Sequence, residues 1–136
     1  MAGVRRKARV IALQALFEID CTGHDAGKVV NRIADEAGLL GDNAVFAQKL
    51  VSGVIQSKAE IDRNIQSFAP AWPIDQMPVV DRNILRLAIF EVLLDNKVPV
   101  RAAINEAVEL ARMFGSESSP KFVNGVLGSV TSLVHR

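Results

Sequence analysis

The chain has 136 residues, 49% of them apolar and 23% charged, the balance of an ordinary globular protein forming one domain or two small lobes on a shared core. Its net charge is only +1, so the total predicts no acidic partner, and no apolar run approaches the roughly 18 residues of a membrane span. The one cysteine, Cys21, excludes an internal disulfide; with no signal-like apolar block at the amino terminus, a cytoplasmic protein is expected.

Charge is uneven along the chain. Arg5, Arg6, Lys7 and Arg9 place four cations in five positions, and no acid precedes Glu18. Such a cluster is a local anion site, for which nucleic acid is the usual ligand. The same stretch reads as a helix from about Val4 to Cys21, with Ala8, Ile11, Ala12, Ala15 and Ile19 on one inward face. Phe17 falls opposite that face, near Val10, Leu13 and Gln14 and in line with Arg6. Two readings stay open from pattern alone: Phe17 stacks an unpaired base beside bound phosphates, or it packs with Val10 and Leu13 against a second helix layer.

Thr22 and Gly23 end that helix. Asp25 caps a short one with Ala26, Val29, Val30, Ile33, Ala34 and Ala37 inward, and the segment from Gly38 to Gly41 turns. Asp42 opens a third helix, with Ala47, Leu50, Val51 and Val54 facing in. Ser57 and Glu60 have capping-box spacing, which predicts a break and a fresh helix carrying Ile61, Ile65 and Phe68. Pro70, Pro73 and Pro78 then suggest a Pro-rich linker between lobes of about 1–69 and 78–136, with Trp72 as a plug on the core.

From Pro78 to Asn96 the chain is apolar on two sides: Leu85, Ala88, Ile89 and Val92 make one stripe, and Leu87, Phe90 and Leu94 another. A helix of that kind has neighbours on both sides, so it is expected to be the buried axis, opened at Pro78 and closed by Asn96 and Pro99. Arg86 and Glu91 must then reach the surface or find partners. The next helix carries Val100, Ala103, Ile104, Ala107, Val108 and Ala111 inward, with Gly115 suited to the position after its end. Ser119 and Pro120 suit the start of a last helix with Val123, Val126, Leu127, Val130 and Val134 inward. Phe122 lies off that stripe beside Lys121, and if the first and last helices pack side by side, Phe17, Phe122 and Lys121 flank one groove. Gly125 and Gly128 each cost about 1 kcal/mol in a helix interior, which suggests close approach of another helix or a ligand. No sustained alternation appears, so the fold class is all-α, about seven helices in two packed helical subdomains.

Catalytic chemistry is not visible. Cys21 and His24 have metal-like spacing, but the only other histidine is His135, so no metal site or cofactor is expected. The phosphate-loop, dinucleotide and nucleophile-elbow motifs are absent. Gly125 to Gly128 matches a G-x-x-G pattern only inside a helix, where it lacks the required context.

The block Ile104-Asn105-Glu106-Ala107-Val108-Glu109-Leu110-Ala111, then Phe114-Gly115 and Lys121-Phe122-Val123-Asn124-Gly125-Val126-Leu127, closely resembles the NusB family. So do Asp81-Arg82-Asn83-Ile84-Leu85-Arg86, Ala8-Arg9 and Leu13-Gln14-Ala15-Leu16-Phe17, in the same order and essentially end to end. The resemblance implies one RNA-binding domain over 1–136, acting in transcription antitermination and binding the boxA RNA of ribosomal RNA leaders. Ribosomal protein NusE and the transcription elongation complex are the implied partners. It puts Arg5, Arg6, Lys7, Arg9, Gln14, Phe17, Lys121 and Phe122 at RNA, and phenylalanine at 17, where the family often has tyrosine, keeps stacking but loses a hydroxyl. With that support the RNA-facing reading of Phe17 is preferred. Asp81, Arg82 and Arg86 are weaker candidates for the partner surface, expected on the exposed sides of the 79–95 and 100–114 helices. The alternatives are an accessory domain like that of ribosomal RNA cytosine methyltransferases, for which a chain ending at Arg136 leaves no enzyme domain, and a homodimeric interaction module burying the first helix.

Overall fold

The computed structural model describes residues 2–95 and 97–134, with side chains from Arg5 onward; Asn96 and His135 lie outside the described residues. Among the described residues the chain is all-α: α1 (Ala2–Thr22), α2 (Ala26–Glu36), α3 (Gly41–Gln56), α4 (Lys58–Phe68), α5 (Val79–Ile89), α6 (Val100–Phe114) and α7 (Ser119–Val130). It divides into two units, Met1–Gln56 and Ser57–Arg136.

In the first unit, α1 packs against α2 and α3, and α2 against α3. Asp25 caps α2 as expected, accepting from the Lys28 N–H at 3.0 Å. The turn that follows needs a glycine. Gly38 has φ +71°, the Leu39 N–H donates to Ala34 O at 2.9 Å, and the Gly38 N–H donates to Asp35 O at 3.1 Å. This left-handed helix end folds Leu39 back into the interior, where it is buried. The α3 stripe of Ala47, Leu50, Val51 and Val54 is buried throughout.

The second unit is centred on α5, which packs against α4, α6 and α7. Asp81 and every residue from Asn83 to Ile89 are buried, so this helix is buried on every side, as its two apolar stripes require. Phe90–Asp95 continue it as a π-helical turn, a local widening that the apolar pattern does not encode. The α6 and α7 stripes are buried at Ala103, Ala107 and Ala111, and at Val123, Val126, Leu127 and Val130.

Three expectations about this unit are corrected. The boundary between units falls at 56/57, not in the 69–78 stretch, because α4 packs with α5 and α7. The Pro-rich stretch is a tied strap rather than a linker. Gln66 Nε2 donates to the carbonyls of Ala69 and Trp72, each at 3.0 Å, and Gln66 Oε1 accepts from the Ile74 N–H at 3.0 Å. The break before α4 is present, but Ser57 makes no side-chain cap, so the capping box does not form.

The carboxy-terminal glycines also differ from expectation. Gly115 has φ −90°, which any residue adopts; glycine is required there because a Cβ would lie 2.5 Å from that of Ser119. At Gly125 and Gly128 an added Cβ meets nothing within 4 Å, so no other part of the described chain crowds them.

Candidate nucleic-acid interface

At about 100° per residue, α1 divides into two arcs. The buried arc holds Ala8, Ile11, Ala12, Leu13, Ala15 and Leu16. The opposite arc, roughly 100° wide, carries Arg6, Phe17, Val10, Gln14 and Lys7 in angular order. Arg6, Lys7 and Gln14 are exposed, and Phe17 is 41% exposed. An aromatic ring, an amide and two cations thus share one outward face.

Arg5 and Arg9 point elsewhere. Arg9 falls on the i, i+4, i+7 line with Leu13 and Leu16, so it enters the interior and is 7% exposed. Its guanidinium lies 5.3 Å from the centre of the Phe46 ring, and that of half-buried Arg5 lies 4.2 Å from the same ring. A ring that attracts both cations through its quadrupole helps hold them in place and offsets part of what their burial costs in solvation. Arg9 therefore does not stand on the surface with Arg6 and Lys7. Arg5 Nη1 is buried without a hydrogen-bond partner. Phe46 was missed in sequence; a phenylalanine at the edge of the α3 stripe gives no local sign that it faces arginines some forty residues earlier.

The far end of α1 is fixed electrostatically. Glu18 bonds Arg32 of α2 and lies 3.2 Å from His24 Nδ1. Arg32, and then His24, hold the Glu18 carboxyl below its ordinary value of 4.5. No three His, Cys, Asp or Glu side chains gather among the described residues.

In the second unit, Lys121 is exposed and Phe122 half-buried in the first turn of α7. Trp72 meets Phe122 edge to face, ring centres 4.8 Å apart at 61°. Trp72 is 36% exposed, so it is not the core plug expected of it. With Phe68, Lys121, Gly125 and Val126, the two rings line a surface groove of about 360 Å³.

Asp81, Arg82 and Arg86 support this surface from within rather than forming an exposed face of α5. Asp81 is 3% exposed and accepts from Ser119 Oγ at 2.7 Å; that hydroxyl in turn accepts from the Ser116 N–H at 2.9 Å. Ser119 is the first residue of α7, not its cap, so this chain of bonds fixes the turn that presents Lys121 and Phe122. Arg86, 5% exposed, donates to Asp62 Oδ1 at 2.8 Å and Oδ2 at 3.1 Å, locking α4 to α5. Half-buried Arg82 donates to the carbonyls of Ile74 and Asp75 at 3.4 and 3.3 Å, holding the strap. All three pair within the chain rather than standing out as a partner surface, and for Asp81 and Arg86 the reason is that a buried charge without a partner is costly.

Cations and aromatic rings on outward faces of an all-helical scaffold are the chemistry of a helical nucleic-acid-binding protein. The comparisons agree. The NusB family model matches residues 6–132, and the chain belongs to the NusB family. It is 50% identical over 131 residues to a transcription antitermination protein NusB of Dehalococcoides mccartyi, covering 96% of this chain and 92% of that one. The structure of NusB from T. maritima superposes with a TM-score of 0.88 at 32% identity, covering 94% of this chain and 90% of that one. A chain from a crystal structure of antitermination factors NusB and NusE with double-stranded RNA superposes at 0.90 and 28% identity, covering 98% of this chain and all of that one.

Proposed function

We propose that this chain is a non-catalytic, cytoplasmic transcription antitermination factor that binds boxA-type RNA and works with ribosomal protein NusE in the elongation complex. The observation that carries the RNA reading is the outward arc of α1, where Phe17 stands exposed in line with Arg6 and on the same face as Gln14 and Lys7. The cations hold phosphates and set affinity; the ring stacks a base. Arg5, half-buried over Phe46 and off that arc, is a separate phosphate contact in this reading, while Arg9 acts from beneath by sharing that ring. Lys121 and Phe122 are the RNA contacts of the second unit. For NusE the outer side of α6, where Met113 and Phe114 are exposed, is the surface we favour, since α5 is buried almost throughout. The experiment is RNA binding over a series of salt concentrations. Replacing Arg6 and Lys7 by alanine should weaken different RNAs nearly alike and flatten the salt dependence by about 0.7 per lost contact on single strands. An unchanged slope would remove the basic terminus from the RNA surface.

A further inference from the structure

Trp72 belongs to a stretch that reads as a connector, yet the fold holds it firmly. Its N–H donates to Ala69 O at 3.2 Å and its carbonyl accepts from Gln66. Gln66 uses both ends of its amide, closing the strap between Ala69 and Ile74. Proline on either side, at 70 and 73, restricts the backbone further. A backbone held this way loses little freedom on binding. The indole is nonetheless only partly covered, and its principal aromatic neighbour is Phe122. Rings inclined at 61° do not close into a sandwich, so outward ring surface remains available over the groove. Lys121 also lines the groove, and Gly125 presents no side chain to it.

We infer that Trp72 is a further base-stacking residue for RNA, forming with Phe122 and Lys121 a subsite for one unpaired base and its phosphate, and that Gln66 is its positioning residue. This rests on the RNA-binding reading. A partly exposed indole beside a second, inclined ring, with a cation on the same groove, suits a nucleobase, because every base offers a π-face and carries an anionic backbone beside it. The Lys121 charge selects that occupant over a neutral apolar ligand.

The test uses the full chain and a labelled single-stranded boxA-type oligoribonucleotide. Trp72 is the single tryptophan, so intrinsic fluorescence reports on this groove alone, while anisotropy of the RNA label reports binding independently. The expected result is quenching of the indole that saturates with the anisotropy. Trp72→Ala should lose about 5- to 150-fold in affinity at an unchanged salt slope, with Trp72→Phe retaining most of it. Gln66→Ala should weaken both binding and quenching without removing any charge. RNA bound at normal affinity by Trp72→Ala, or bound by the native chain without any change in indole emission, overturns the subsite and leaves the RNA reading standing. Absence of binding by anisotropy overturns both.

Discussion

Phe46→Leu separates the arginines' charge from their positioning. The ring lies 4.2 Å from the Arg5 guanidinium and 5.3 Å from that of Arg9. A cation over an aromatic face is worth about 0.5–1 kcal/mol when exposed and about 2 when desolvated. Arg5 is half-buried and Arg9 buried, so the pair accounts for about 1–3 kcal/mol, while leucine keeps most of the apolar contact. Urea unfolding followed by circular dichroism should show a loss in that range. Arg5 would also gain rotamer freedom, which costs about 0.5–1.5 kcal/mol to freeze again on binding, or roughly 2- to 12-fold in RNA affinity. Every positive charge remains, so the salt slope should not move. Unchanged stability together with unchanged affinity would show that Phe46 does not hold these side chains, and a flattened slope would show that the substitution removes a phosphate contact outright.

Two further tests probe the scaffold. Asp62→Ala removes the carboxylate partner of the buried Arg86 guanidinium and leaves it the Asn83 Oδ1 contact; about 2–4 kcal/mol of stability should be lost, toward the low end for a buried pair because Asp62 is 23% exposed, and adding Arg86→Met should restore much of it. The Glu18 carboxyl is held below its ordinary value by Arg32 and His24, so its stabilising contribution is complete above that value and is lost as pH falls through the lowered one. In Arg32→Ala the Glu18 titration, followed by NMR, should move upward, and an unmoved titration would contradict the assigned cause.

The regular parts of this fold were legible because they depend on local period. The α3 stripe, the Asp25 cap and the two-sided burial of α5 follow from residue type and 3.6-residue spacing. The errors share a different origin. Reading α1 as one stripe missed that Leu13 and Leu16 widen its buried arc, and Arg9 on their line was placed on the surface as a result. The prolines of the strap suggest a boundary because nothing local in Gln66 announces hydrogen bonds to Ala69, Trp72 and Ile74. Asp81 and Arg86 looked outward because their partners, Ser119 and Asp62, lie 38 and 24 residues away. Within the candidate interface, the off-stripe positions of Phe17 and Phe122 and the charge of Lys121 are legible in sequence, whereas the contacts of Phe46 with the arginines and of Trp72 with Phe122 are visible only once the helices are placed.

Whether Phe17 faces RNA is tested directly by one pair of measurements on Phe17→Ala. Thermal unfolding and RNA affinity are recorded on the same protein. At 41% exposure the ring adds little to the core, so stability should fall by about 1 kcal/mol or less. RNA affinity should fall by about 1–3 kcal/mol with the salt slope intact. A loss of about 3–5 kcal/mol in stability, with normal RNA binding by the protein that remains folded, would contradict the account.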